Sequence, residues 1–238
     1  PILLVQTNSA TVNNIVIGSG QELNVGGSFT VGVNGTGSTT TRLVVAGLGT
    51  LSIGTPTQAT NAPFQLGNHS TTSFSNDAIL TMSGLSTFFA NLGAGTFRVG
   101  DPTNSGGTAT AGSKLYLAKT STVTAATITT DGPNSCQTNF IYLGDTANTF
   151  NATNVYVSGA NRTTGQISWD TGVTTGTFKL RGLNGDNATP VTNFYVAYGD
   201  AGTGAAATAG GPRVARPTLG ATPGATAAGG GTRGHAGG

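Results

Sequence analysis

A chain of 238 residues, 36% hydrophobic and only 8% charged, holds enough sequence for one large β domain or two small ones. Gly, Thr, Ala, Asn and Ser make up the difference; this excludes the highly charged disordered class and disfavours helix, because Gly and Thr form helix poorly and Lys and Glu are nearly absent. The net charge of +2 comes from Arg213, Arg216 and Arg233 in the acid-free stretch 201–238, whereas residues 1–200 set seven bases against eight acids, and no basic stripe with interleaved aromatics points to nucleic acid.

Along the chain one tetrapeptide recurs: apolar, variable, apolar, then Gly or another small residue. It appears as Ile15-Val-Ile-Gly18, Phe29-Thr-Val-Gly32, Leu51-Ser-Ile-Gly54, Phe64-Gln-Leu-Gly67 and Phe97-Arg-Val-Gly100. It returns as Leu115-Tyr-Leu-Ala118, Ile141-Tyr-Leu-Gly144, Val155-Tyr-Val-Ser158 and Phe194-Tyr-Val-Ala197. Alternation at period two puts the first and third residues on one face and the variable one on the other. The small fourth residue lets the chain turn a corner. Secondary strands are expected over Ala78–Ser83, Thr122–Thr129, Gln166–Trp169 and Thr177–Leu180. Turn signals at Asn34-Gly35, Ser105-Gly106-Gly107, Asp131-Gly132-Pro133 and Asn184-Gly185 separate the strands.

Many short strands around one repeated anchor, with irregular insertions, predict an all-β fold. The pattern favours a β-solenoid (parallel β-helix-like) of irregular coils over residues 1–200, with a β-sandwich or jelly roll as the alternative. One coil buries two or three inward apolar side chains at roughly 1.5–3 kcal/mol each. Ordering its backbone costs about 1 kcal/mol or more per residue. A lone coil is therefore unstable, and stacking must supply the remainder. From Ala201 onward the alternation vanishes, and Pro212, Pro217 and Pro223 block ladder bonds. Residues 201–238 read as a Gly/Ala/Pro-rich flexible tail or linker.

A short acid or amide follows the corner glycine in Gly67-Asn68, Gly100-Asp101, Gly144-Asp145 and Gly199-Asp200. Such side chains bond backbone N–H groups two residues on, so Asn68, Asp101, Asp145 and Asp200 are expected as turn caps. A Ca²⁺ ladder is the lesser reading, since each site offers at most one carboxylate. No cofactor or metal is expected: Cys136 is the only cysteine, and His69 and His235 have no ligand-spaced partner. Stacked coils would align Asp101, Asp145 and Asp200, the arrangement a polysaccharide-cleaving β-helix would use, but no Asp-Asp or Asp-x-Asp occurs, and catalysis is not expected. Tyr116, Tyr142, Tyr156 and Tyr195 share the variable slot of their anchors. In register they would form one outward aromatic ladder, the best candidate for ligand binding, with Trp169 as a further sugar platform. A Thr cluster, Thr122 to Thr130, raises an ice-binding face, disfavoured because no constant coil length repeats it.

Between Leu143 and Gly185 the chain reads Leu-Gly-Asp145, Asn148-Thr-Phe-Asn151, Val155-Tyr-Val-Ser-Gly159, Thr164-Gly-Gln-Ile-Ser-Trp169 and Gly176-Thr-Phe-Lys-Leu-Arg-Gly182. This run resembles the repeat region of large secreted bacterial proteins of the autotransporter-associated β-strand and PEP-CTERM-sorted type. The resemblance is clearest over these residues and diffuse over roughly 10–200. It implies export, a cell-surface or extracellular location, and a β-helical passenger without enzymatic residues. The C-terminal sorting helix and outer-membrane barrel of such proteins do not occur within these residues. The opening at Pro1, without Met or signal peptide, is expected of a processed or internal segment. The expected function is a structural or adhesive segment of a secreted surface protein, with a polysaccharide-binding or polysaccharide-cleaving module as the alternative. Surface glycans or other matrix proteins are the expected partners, with end-to-end self-association; nucleic acid and membrane insertion are not expected.

Overall fold

The computed structural model describes residues 3–5, 12–33, 40–68, 77–100, 111–130, 138–158 and 164–196. Within them the chain is all-β, with no helix. It opens with β1 (Leu3–Val5), β2 (Val12–Val16) and β3 (Glu22–Val25), then β4 (Phe29–Val33) and the long β5 (Thr40–Ile53). β6 (Phe64–Asn68) and β7 (Asp77–Thr81) lead into the longest strand, β8 (Leu85–Val99). Next come β9 (Ala111–Tyr116), β10 (Thr120–Thr129), β11 (Thr138–Leu143) and β12 (Ala147–Val157). β13 (Thr164–Trp169), β14 (Thr177–Arg181) and β15 (Asn193–Val196) follow. The expected strand over Ala78–Ser83 stops at Thr81, because the chain turns there and Leu85 N donates to the Met82 carbonyl at 2.8 Å.

Every pairing among these strands is parallel. A sandwich or jelly roll would require antiparallel ladders, and none forms among the described residues. The pairings sort into three ladders. Ladder I joins β1, β4, β6, the ends of β8, β10 and β12, and β15. Ladder II joins β2, the start of β5, β7, β9, β11 and β13. Ladder III joins β3, the end of β5, the starts of β8, β10 and β12, and β14. The described strands visit I, II and III in that order again and again, and β8, β10 and β12 each run from III into the next stretch of I. Register partners are unevenly spaced along the chain, 26 residues apart for Leu3 and Phe29 and 39 for Asn154 and Asn193.

The inward side chains form one continuous core. Phe29, Phe64 and Phe97 follow one another in ladder I, their rings stacked at 5.3 Å and 4.1 Å between centroids. Phe88 from ladder III meets this column tilted, 6.2 Å from Phe64 and 6.4 Å from Phe97. Phe64, Val99, Leu117 and Leu143 are all buried, as the anchor pattern requires. Burying each such side chain contributes roughly 1.5–3 kcal/mol, and ring stacking adds to it.

Small residues hold the corners for two different reasons. Gly67 has φ +82°, where a Cβ would be strained, and Ser158 reaches φ 63° at the equivalent position. At Gly144 the reason is space: an added Cβ would lie 1.9 Å from the Ala118 carbonyl oxygen. Residues 201–238, expected as a tail, lie outside the described residues.

Candidate functional site

The tyrosine slots fall in two ladders. On the outer face of ladder II, Tyr116 and Tyr142 are in register, their rings stacked at 4.6 Å and 19°. Phe140, two residues before Tyr142 on β11, lies parallel to it at 5.5 Å, and Lys114 Nζ stands 5.8 Å from the Phe140 centroid. Beside the pair is a cleft of about 70 Å³, bordered by Lys119, Asp145 and Asp170. Partial burial raises the Tyr116 phenol above its ordinary 10.0, and the Asp170 carboxylate adds to the effect. Tyr142 is raised for the same reason, with Tyr116 and then Asp170 contributing. Both phenols therefore stay protonated, as hydrogen-bond donors, well into alkaline solution.

On the outer face of ladder I, Tyr156 and Tyr195 are in register and stack at 5.5 Å and 3°. The four tyrosines thus form two separate pairs on two faces, not the single aromatic ladder expected from sequence. The anchor tetrapeptide serves ladders I and II alike, so sharing its variable slot does not mean sharing a ladder. Trp169 is not an outward platform either: it packs against the core, in register with Leu143, and its indole Nε1 is buried without a hydrogen-bond partner.

Of the four residues expected as turn caps, Asp101 and Asp200 and the side chain of Asn68 lie outside the described residues. Asp145 is exposed and accepts from the hydroxyl of its neighbour Thr146 at 3.0 Å. The backbone of that corner is held instead by buried Asn148. Its Oδ1 accepts from Gly144 N at 2.9 Å, and its Nδ2 donates to the Gly144 carbonyl at 2.9 Å. Asn139 does similar work, accepting from Ser113 N at 2.9 Å and donating to the Thr130 carbonyl at 3.1 Å. The strand that leads to Asp101 is in ladder I, and the one that leads to Asp145 is in ladder II, so their anchors do not define one carboxylate row. Among the described residues no group of three or more His, Cys, Asp or Glu side chains could hold a metal ion.

A larger groove, about 380 Å³, crosses the outer face of ladder III. Its floor carries Phe89, Asn91, Thr122, Thr124 and Asn151 from three successive strands, β8, β10 and β12. Thr122 is in register with Phe89, and Thr124 with both Asn91 and Asn151. Pro56 forms one wall and Leu183 with Asn184 the other. The first wall is tied down by Asn91 Nδ2, which donates to the Thr55 carbonyl at 2.8 Å. In the second, the Asp186 carboxylate accepts from Thr189 N at 2.6 Å, Ala188 N at 3.0 Å and the Thr189 hydroxyl at 3.1 Å. The two Thr189 bonds lead in lowering the Asp186 pKa below 3.8. Arg181 Nη1 donates to the Gly185 carbonyl at 3.0 Å, bracing the same loop.

Within the groove Asn151 Nδ2 donates to Thr124 Oγ1 at 3.0 Å, while Asn151 Oδ1 is buried with no hydrogen-bond partner. Among the described residues none that lines the groove is charged. This groove was not legible in the sequence, since its residues come from five separated stretches of chain. The one trace was the Thr cluster, which the fold divides: Thr122 and Thr124 line the groove, while Thr129 and Thr130 are buried. Comparison of the chain with protein-family models, with curated proteins and with solved structures gives no match in any of the three.

Proposed function

We propose that this chain is a β-solenoid segment with a structural or adhesive role in an exported bacterial surface protein, and that it carries no catalytic centre of its own. The observation that supports this reading best is the recurrence of the three parallel ladders around one core, with Phe29, Phe64 and Phe97 stacked in register. In such an array a further round adds length and core together, and each outer face displays a row of side chains at strand spacing. Scarce charge and the resemblance over Leu143 to Gly185 also favour a passenger outside the cell. The outer faces, with their tyrosine pairs, are the surfaces offered to glycans or matrix proteins.

The reading is tested on intact source cells with antibodies raised against the chain, and on the purified chain with a reducing-sugar assay over a polysaccharide panel. Surface labelling that external protease removes, with no release of reducing ends, is the expected outcome. Antigen confined to the cytosol, or specific polysaccharide turnover, would overturn it. The uncharged groove on ladder III favours the binding half of the alternative, a polysaccharide-recognising module, over the cleaving half.

A further inference from the structure

We infer that the groove on the outer face of ladder III is a binding site for a neutral carbohydrate chain. Three features of the groove converge on that ligand class. The first is charge: among the described residues no Lys, Arg, His, Asp or Glu lines it, and the neighbouring Arg181, in register with Asn151, has its guanidinium bonded to the Gly185 carbonyl. The second is the pairing of one ring with a polar row. Phe89 is half-buried on the outward side of β8, and beside it run the hydroxyls of Thr122 and Thr124 and the amides of Asn91 and Asn151. A sugar ring has the same division, an apolar C–H face and a rim of hydroxyls, and the groove volume suits a short run of such units.

The third feature is the unsatisfied amide oxygen. Asn151 is 7% exposed, and its Nδ2 is engaged by Thr124 while its Oδ1 has no partner. Leaving a buried acceptor unpaired is costly, and polar groups left so are commonly met by water or a ligand. A sugar hydroxyl both donates and accepts, so it satisfies this amide in either orientation. The walls add a reason for preformed binding. Asn91 holds one and Asp186 the other through bonds within the protein, so ordering the site costs little when ligand arrives. The site does not depend on the structural role proposed above, since a stalk without ligand would keep the same ladders.

The test is isothermal titration of the full chain with cellohexaose, xylohexaose, mannohexaose and maltohexaose, with trigalacturonate as the anionic comparison. Binding of at least one neutral hexasaccharide is expected, together with a fall in affinity of about tenfold in Phe89→Ala, equivalent to about 1.4 kcal/mol. Val16→Ala, at an exposed position of ladder II away from the groove, is expected to bind as the parent does. Thr122→Val, an isosteric exchange that suits a strand, keeps the test decisive if Phe89→Ala does not fold, and is expected to weaken binding severalfold. Circular-dichroism melts of each variant establish that it is folded. The inference is overturned if none of the four neutral sugars binds, if trigalacturonate binds more tightly than they do, or if the folded groove variants retain parental affinity.

Discussion

Asn148 and Asp145 lie three residues apart at one corner and carry unequal weight. Asn148 is buried and bonds both the N–H and the carbonyl of Gly144, whereas Asp145 is exposed and holds one neighbouring hydroxyl. Leaving buried backbone groups unpaired costs about 1–3 kcal/mol each, while surface changes usually stay within about 0.5 kcal/mol. Asn148→Ala should therefore lower Tm by several degrees in a calorimetric scan, and Asp145→Ala should leave it nearly unchanged. The phenols of Tyr116 and Tyr142 provide a second measurement at this scale. Their pKa values are raised, so the folded state keeps protons that the unfolded chain releases near 10.0. The stability they contribute is complete below that value and is lost as pH rises through the higher folded values. Tyrosinate absorbance of the folded protein should show the Tyr116 and Tyr142 phenols ionising above 10.0. Asp170→Asn should bring both earlier without restoring the ordinary value, because burial is the larger cause.

Most strands here are short, and their stability comes from the strands above and below. β6 shows this most clearly: it pairs with β4 on one side and β8 on the other, and its Phe64 ring lies between those of Phe29 and Phe97. Phe64→Ala should cost about 3–5 kcal/mol, the range for removing a fully buried aromatic side chain, and urea melts will measure it. Strand positions and facing were legible in the sequence, since a period of two with a small fourth residue fixes which side chains turn inward. Pairing partners were not. The anchors at Phe29, Phe64, Phe97, Val155 and Phe194 fall in ladder I, those at Leu115 and Ile141 in ladder II, and that at Leu51 in ladder III. Four residues of similar pattern carry no label for their ladder, and insertions of unequal length between them erase any fixed count.

Stability across the whole molecule should be graded. Strands in the middle of the array are covered on both edges, while β2 and β3 at one end and β14 and β15 at the other pair with one neighbouring strand each among the described residues. β2 and β15 also expose apolar side chains, with Val16 at 77% and Val196 at 59%. Hydrogen exchange read by mass spectrometry should find peptides from β6, β8 and β10 protected longest and those from β2, β14 and β15 exchanging first; uniform protection would contradict a stack held by nearest neighbours. The groove on ladder III exists only at this scale, because Pro56, Phe89, Thr122, Asn151 and Leu183 meet through the stacking of β5, β8, β10, β12 and β14. By itself the sequence determined an all-β chain, most of the anchor residues that face its core and the corners that must be small, because these depend on local backbone geometry and on whether each side chain favours water. Tertiary structure alone decided which strands pair in which ladder, the division of the tyrosines between two faces, the replacement of Asp145 by Asn148 at its corner, and the groove. Those depend on which distant segments lie side by side, and that is set by the packing of the stack as a whole.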